Sequence, residues 1–156
     1  MHIDAAGVYL TMTNTRVVGN SVVNQDPPVA GANNRGGGIS IPGANSVRIE
    51  RSEISGNSAN RGGGARFIND ALAQQTANGV LAVTIVNSTI SGNVAVTPII
   101  GGGGMSASGN VALVVDNSTI AANSSAADAV GGILLDVGAT TPPSAGNALP
   151  PTLTLR

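Results

Sequence analysis

The feature that most constrains the fold is an eight-residue unit that recurs four times along the chain and always closes on asparagine. The closing residues lie 30 to 37 positions apart and are Asn20, Asn57, Asn93 and Asn123. Self-similarity at such a period is typical of solenoids, in which one repeat cannot bury its apolar face without a neighbour. The repeat therefore predicts stacked coils instead of a globular interior.

A second element lies between these units and consists of glycines followed by an alternating apolar run. It occupies residues 36–41, 62–67, 102–107 and 131–135. Elsewhere Val47 and Ile49 alternate with Arg48 and Glu50, and this period of two is typical of β-strands. We therefore predict an all-β, right-handed parallel β-helix of about five coils, without an evident capping helix, formed as a single domain by residues 1–156.

Superposition of the repeats predicts columns of like side chains inside the coil. One column is Leu10, Val47, Val83, Leu113 and Leu153, and another is Val17, Ile54, Ile90 and Ile120. Hydrophobic residues make up 42% of the chain but aromatic residues only 1%, so the core has to be aliphatic. Thin, regularly stacked layers suit such a composition better than a globular core does.

The repeated asparagines have a structural interpretation as a ladder. Asn adopts the left-handed backbone conformation that a sharp corner needs, and stacked Asn amides hydrogen-bond from one strand to the next. We expect both properties at the closing asparagines and the same stacking in a neighbouring column of hydroxyl residues. That second column consists of Thr15, Ser52, Ser88 and Ser118.

The repeat resembles that of polymorphic outer-membrane proteins and related bacterial autotransporter passengers. The shared pattern is GG-apolar-x-apolar, then V-x-I-x-N-S-x-I-x-x-N-x-A, then GG, and residues 57–64 match it best. The family usually has Phe before the closing x-x-N, whereas this chain has Val17, Ile54, Ile90 or Ile120 there. The repeat is thus similar to the broader pectate-lyase-like type. The resemblance implies a secreted or surface-exposed bacterial protein, often an adhesin or a stalk.

Composition excludes several classes of chemistry. There is no cysteine, and His2 is the only histidine, so Ser–His and Cys–His catalysis and His-based zinc sites lack their parts. A net charge of −1 without a basic stripe excludes a nucleic-acid partner. No apolar run is long enough to span a bilayer. We predict no cofactor, no catalytic residue and no metal site.

The strongest enzymatic alternative is a polysaccharide lyase or glycosidase, because both occur on parallel β-helices. Glycosidases need two carboxylates on either side of a sugar bond. Alignment of the repeats puts Asp116 in one column with Glu50, two turns apart and with Val86 between them. A solvated outward carboxylate is the favoured interpretation, and the enzyme remains the alternative, with catalytic coils that are incomplete here.

The candidate binding surface is a group of charged side chains in a chain that has few. Its members are Arg48, Glu50, Arg51, Glu53 and Arg66. Surface ion pairing of little energetic value is the favoured interpretation of the charges at 48–53, and a binding role is the alternative because charge is scarce elsewhere. The long connectors, residues 22–35, 68–81 and 137–151, are the other expected recognition sites, because binding residues concentrate on loops.

We expect a structural or binding module of adhesin or stalk type, not an enzyme, in a bacterial protein that is secreted or displayed on the cell surface. The expected partner is a polysaccharide or a component of the host or cell surface. The signal for export is not present in this chain. Because the repeat runs almost to both ends, we also expect a fragment of a longer solenoid, with end-to-end or oligomeric contacts at uncapped ends.

Overall fold

A computed structural model describes residues 8–22, 36–43, 45–69, 79–96, 101–126, 130–136 and 150–156. All regular structure in these ranges is β-strand. No helix in the described ranges is long and apolar enough to cross a membrane. The prediction of an all-β chain is confirmed.

The strands follow one another in coils of four. The first coil contains Tyr9–Thr13 (β1), Arg16–Val18 (β2), Ser21–Val22 (β3) and Ile39–Pro42 (β4). The second contains Ser46–Glu50 (β5), Glu53–Ser55 (β6), Ser58–Ala59 (β7) and Ala65–Asn69 (β8). The third contains Leu81–Val86 (β9), Thr89–Ser91 (β10), Val94–Ala95 (β11) and Met105–Gly109 (β12). The fourth contains Val111–Asp116 (β13), Thr119–Ala121 (β14), Ser124–Ser125 (β15) and Ile133–Asp136 (β16), and Thr152–Leu155 (β17) begins a fifth.

Each strand pairs in parallel with its equivalent one coil away, which produces four sheets. The long sheet has the order β1-β5-β9-β13-β17 and the middle sheet β2-β6-β10-β14. The short sheet has the order β3-β7-β11-β15, and the Gly sheet, whose strands follow the glycine clusters, has the order β4-β8-β12-β16. This topology is that of a parallel β-helix with about four to five coils, as the repeat predicts.

The predicted columns are confirmed by the strand register. In the middle sheet Ile54 stands beside Ile90, and Ile90 beside Ile120. In β9 inward residues are buried while the residues between them are partly or fully exposed. The core of the central coils therefore consists of stacked aliphatic layers, and Phe67 is its one aromatic residue.

The outer coils differ from the central ones. Within the described residues the long sheet has five strands and the other three sheets have four, because β17 pairs only with β13 of the long sheet. Core side chains of the outer coils are less covered than those inside: Leu10, Val17, Ile120 and Leu153 are only partly buried. The outer coils thus bury their apolar side chains less completely than the central ones.

Candidate functional site

A ladder of hydroxyl groups runs along the first corner, the turn between the long and middle sheets. The backbone N–H of Thr15 donates to Ser52 Oγ, that of Ser52 to Ser88 Oγ, and that of Ser88 to Ser118 Oγ, at 3.0 to 3.1 Å. Each serine hydroxyl also donates to the carbonyl two residues before it. The predicted hydroxyl ladder is confirmed, and it connects all four coils.

A second ladder occupies the second corner, the turn between the middle and short sheets. The side-chain Nδ2 of each asparagine donates to Oδ1 of the next, from Asn20 to Asn57, Asn93 and Asn123, at 2.9 to 3.0 Å. The backbone N–H groups of the first three donate to the same oxygens. Asn57 and Asn93 are fully buried. The predicted amide stacking is confirmed, so these asparagines are structural.

The left-handed conformation expected at these asparagines is found one residue earlier. Positive φ angles occur at Gly19, Gly56, Gly92 and Ala122 on the second corner. On the first corner they occur at Asn14, Arg51, Asn87 and Asn117. The ladder asparagines contribute side-chain hydrogen bonds, and the residue before each of them makes the sharp turn. The expectation of a left-handed backbone at Asn20, Asn57, Asn93 and Asn123 is therefore wrong.

Arg51 is an exception in the first corner, because the other three coils have asparagine at its position. Its φ of 47° lies in the left-handed region, which costs an ordinary L-residue about 1–2 kcal/mol and which asparagine adopts more readily. Asn117 Nδ2 donates to Asn87 Oδ1 at 2.6 Å, whereas Arg51 interrupts this exposed amide stacking. A strained residue that replaces a better suited one marks a position where function is to be sought.

The charged side chains around Arg51 form a connected group, which we call the charged corner. Arg48 Nη2 lies 3.0 Å from Glu50 Oε2, and Arg51 Nη1 contacts the other oxygen of the same carboxylate. Arg51 Nε donates to Asn14 Oδ1 at 3.1 Å. Glu53 lies on the following strand, β6. The structure thus brings four of the predicted surface residues to one exposed corner: Arg48, Glu50, Arg51 and Glu53.

Glu53 completes the charged corner through Arg16 on the neighbouring coil. Arg16 Nε donates to Glu53 Oε2 at 2.7 Å, and Ser55 Oγ donates to the other carboxylate oxygen. The hydrogen bond from Arg16 lowers the pKa of Glu53, and the bond from Ser55 adds to the effect. Five of the ten charged residues in the described ranges therefore gather at one corner, with a net charge of +1.

Arg66 is not part of this group. It lies on β8 in the Gly sheet, in register with Ser40 and Ser106, and only 5% of its surface is exposed. The outward side chains of this sheet are more deeply covered than those of the long sheet: Ser40, Ser106 and Ser108 are buried, whereas Arg48 is exposed. Burial removes Arg66 from the exposed surface that the charge pattern predicts.

Sequence reasoning did not single out Tyr9, Asn14 or Arg16. Tyr9 is one of two aromatic residues in the chain and is 75% exposed on β1, whereas the other, Phe67, is fully buried. The alternating pattern of β1 places Tyr9 and Thr11 on the outward face, and Thr11 stands beside Arg48. The alternation in β1 was sufficient to predict that Tyr9 faces outward. The pairing of Arg16 with Glu53, in contrast, depends on the exact register.

The structure confirms the alignment of two carboxylates on the long sheet. Glu50 and Asp116 are each in register with Val86, so they lie two strands apart, or about 10 Å.

In the described ranges no group of three or more His, Asp or Glu side chains is arranged to hold a metal ion. His2 and most of the long connectors that were predicted to carry recognition sites lie outside the described residues.

The four-sheet coil and its two ladders define the class of protein. The chain is a parallel β-solenoid repeat protein, and it has an exposed charged corner. Comparison with protein-family models, with curated proteins and with solved structures gave no match. The class therefore rests on strand pairing, in which successive members of each sheet are four strands apart in the sequence.

Proposed function

We propose that this chain is a structural or binding module of adhesin or stalk type in a secreted or surface-exposed bacterial protein. The observation that carries the proposal is that the buried polar side chains form hydrogen bonds between coils. Asn57, Asn93, Ser52 and Ser88 are buried and hydrogen-bond to the neighbouring coils. Side chains that form such ladders stiffen a rod, because the groups of each coil satisfy those of the next.

The location of the charged corner supports binding over catalysis. The side chains of Arg16, Arg48 and Arg51 are 72%, 48% and 51% exposed, on β2, on β5 and on the turn that follows β5. An exposed surface of this kind suits contact with a large partner, such as a polysaccharide or a component of a host or cell surface. The resemblance of the repeat to polymorphic outer-membrane proteins and autotransporter passengers supports a position outside the cell.

The proposal is tested by two measurements on the full chain. Labelled protein applied to a glycan array and to intact cells should be retained, while incubation with the same polysaccharides and added calcium should release no shortened product. Antibodies against the chain should also label unpermeabilised cells of the organism that produces it. Release of oligosaccharides, or labelling only after lysis, would contradict the proposal.

A polysaccharide-active enzyme is the second candidate, and the spacing of Glu50 and Asp116 favours it. Their strands lie about 10 Å apart, slightly more than the separation of the two carboxyl groups in inverting glycosidases. If product release is observed, Glu50→Gln and Asp116→Asn should each abolish it. Product release that survives both substitutions would eliminate this pair as the catalytic carboxylates.

End-to-end or oligomeric contacts are a further part of the proposal, because core side chains of the outer coils, such as Leu10, Ile120 and Leu153, are only partly buried. Sedimentation velocity over a wide range of concentrations should show reversible self-association, and a monomer at every concentration would refute it.

A further inference from the structure

The charged corner carries one positive charge more than its internal ion pairs neutralise. Arg16 and Glu53 balance each other, but Glu50 alone faces both Arg48 and Arg51. Neither Arg48 Nη1 nor Arg51 Nη2 has an acceptor among the described residues. Guanidinium groups offer planar pairs of donors that match a carboxylate, so the surplus charge is placed in a form suited to an anion.

Arg51 is also held in place before any ligand arrives. Its Nε donates to Asn14 on one side, and its Nη1 contacts Glu50 on the other. The left-handed backbone at this position is more easily adopted by the asparagine found in the other coils. A strained arginine that is fixed at two atoms is an expected feature of a binding site, because ordering it beforehand reduces the entropy lost on binding.

An exposed aromatic ring lies on the same side of the long sheet. Tyr9 points outward on β1, and Arg48 points outward on β5, one strand across and two residues along. Such diagonal neighbours are about 8 Å apart, within reach of aromatic and long side chains. The flat face of a tyrosine ring packs against the C–H face of a sugar, and an anion alone would not require it.

We propose that Tyr9, Arg48 and Arg51 form a binding site for a carboxylate-bearing oligosaccharide, with the sugar ring on Tyr9 and the carboxylate on Arg48 Nη1 and Arg51 Nη2, the donors that Glu50 leaves free. Glu50 and Asn14 are positioning residues, because they contact Arg48 and Arg51 and hold them in place. This inference rests on the proposed binding function and adds the chemical class of the ligand. One surplus positive charge beside one tyrosine ring matches a uronic acid, which has one carboxylate on a sugar ring. It matches a polyanion without sugar rings less well.

The test is a titration of the full chain with defined probes. The probes are oligosaccharides of galacturonate, of mannuronate and of alternating glucuronate and N-acetylglucosamine, with an N-acetylglucosamine oligomer as the neutral probe and oligoglutamate as the acidic peptide. At least one uronate should bind, more weakly at high salt because exposed charges are screened. The neutral oligomer and oligoglutamate should bind at least about tenfold more weakly, since each lacks one of the two contacts.

The variants use residues that the chain itself places at equivalent positions, so that the fold is retained. Arg51→Asn restores the residue found at 14, 87 and 117, Arg48→Thr copies Thr11 and Thr84, and Tyr9→Ser copies Ser46. Each should weaken uronate binding about tenfold or more, as expected for the loss of a charge-assisted hydrogen bond or a stacked ring. Arg61→Gln removes the same charge elsewhere and should leave binding unchanged.

The outcomes separate this inference from the proposed function. Failure of every uronate to bind, equal binding of oligoglutamate, or no effect of Arg51→Asn would each overturn the site assigned here. None of these results would affect the proposed function, which fails if polysaccharide is cleaved. The Arg51→Asn variant should be at least as stable as the parent chain. A loss of stability would contradict the strain assigned to Arg51.

Discussion

The amide of Asn93 occupies the space in which a side chain at Gly64 would lie. A Cβ atom built on Gly64 would be 2.9 Å from Asn93 Cγ and 2.4 Å from the carbonyl oxygen of Gly104. The same relationship joins Gly38 to Asn57 and Gly104 to Asn123. The two repeated elements of the sequence are therefore halves of one contact, in which the asparagine of each coil packs against the glycine of the coil before it.

This contact predicts that Gly64→Ala destabilises the coil. The added methyl group meets backbone that cannot move without breaking the ladder, and such overpacking costs about 1–3 kcal/mol. The measurement is the free energy of unfolding in urea. Gly132 occupies the equivalent position in the fourth coil, and a Cβ built there has no neighbour within 4 Å among the described residues. Gly132→Ala is thus the matched control, and equal losses in the two variants would show that the contacts with Gly104 and Asn93 are not the cause.

The asparagine ladder predicts a difference between its centre and its end. Asn93→Ala removes the acceptor for the Asn57 N–H and the donor to the Ile54 carbonyl, both inside the coil. Buried groups left without partners cost about 1–3 kcal/mol each, so we expect a loss of at least about 2 kcal/mol.

Asn20→Ala is the control for this variant. Asn20 is exposed, and the Asn57 oxygen that it contacts keeps the bond from the Asn20 backbone N–H. We expect a loss of about 1 kcal/mol or less. If both variants unfold at the same urea concentration, the ladder does not contribute through burial.

Ala122 offers a stabilising substitution. Its φ is 54°, at a position where the other three coils have glycine, so it carries strain that glycine avoids. Ala122→Gly should raise the free energy of unfolding by about 0.5–1 kcal/mol after the entropy cost of glycine is subtracted.

The neighbouring strand residue Ala121 distinguishes strain from a general effect of glycine. Ala121 belongs to β14 and has no positive φ. Ala121→Gly should therefore destabilise the chain by about 0.5–1 kcal/mol. Thermal unfolding of the two variants should shift the midpoint in opposite directions, and shifts of the same sign would contradict the prediction.

The pair of Arg16 and Glu53 predicts a pH dependence of defined sign. The pKa of Glu53 is lowered in the folded chain, first by the hydrogen bond from Arg16. Its ordinary value is about 4.3. The pair therefore contributes to stability above that pH, and the contribution is lost as the pH falls through the lower folded-state pKa.

A carboxyl-detected NMR titration of Glu53 tests the origin of this effect. The midpoint should rise in Arg16→Thr, because the donor of the main hydrogen bond is gone. Arg48→Thr removes an equal charge from the same corner without touching Glu53, and it should leave the midpoint in place. A midpoint that responds equally to both substitutions would mean that general charge, not the bond, sets the pKa.

The repeat was sufficient to predict the fold because each column repeats one choice of residue. Ile54, Ile90 and Ile120 align in the sequence and also in the sheet, since parallel pairing of successive coils preserves spacing. The position of the left-handed turn was missed by one residue. Asparagine suits both a ladder and a tight turn, and sequence alone does not separate the two uses.

The candidate site was only partly predictable. Arg48, Glu50, Arg51 and Glu53 are close in sequence, so their grouping at one corner follows from short-range geometry. Arg66 belongs to another sheet and is buried, although its sequence environment resembles that of the exposed arginines. Tyr9 and Arg16 join the corner from the first coil through pairings between residues 37 apart, such as Arg16 with Glu53.

The sequence by itself determined the strand period, the aliphatic columns and the two ladders, because these follow from residues that recur at a fixed interval. The tertiary structure decided which side chains of different coils meet. It placed Tyr9 diagonally across from Arg48, gave Arg51 its strained corner and covered Arg66. These contacts depend on register and burial across coils, which the local order of residues does not contain.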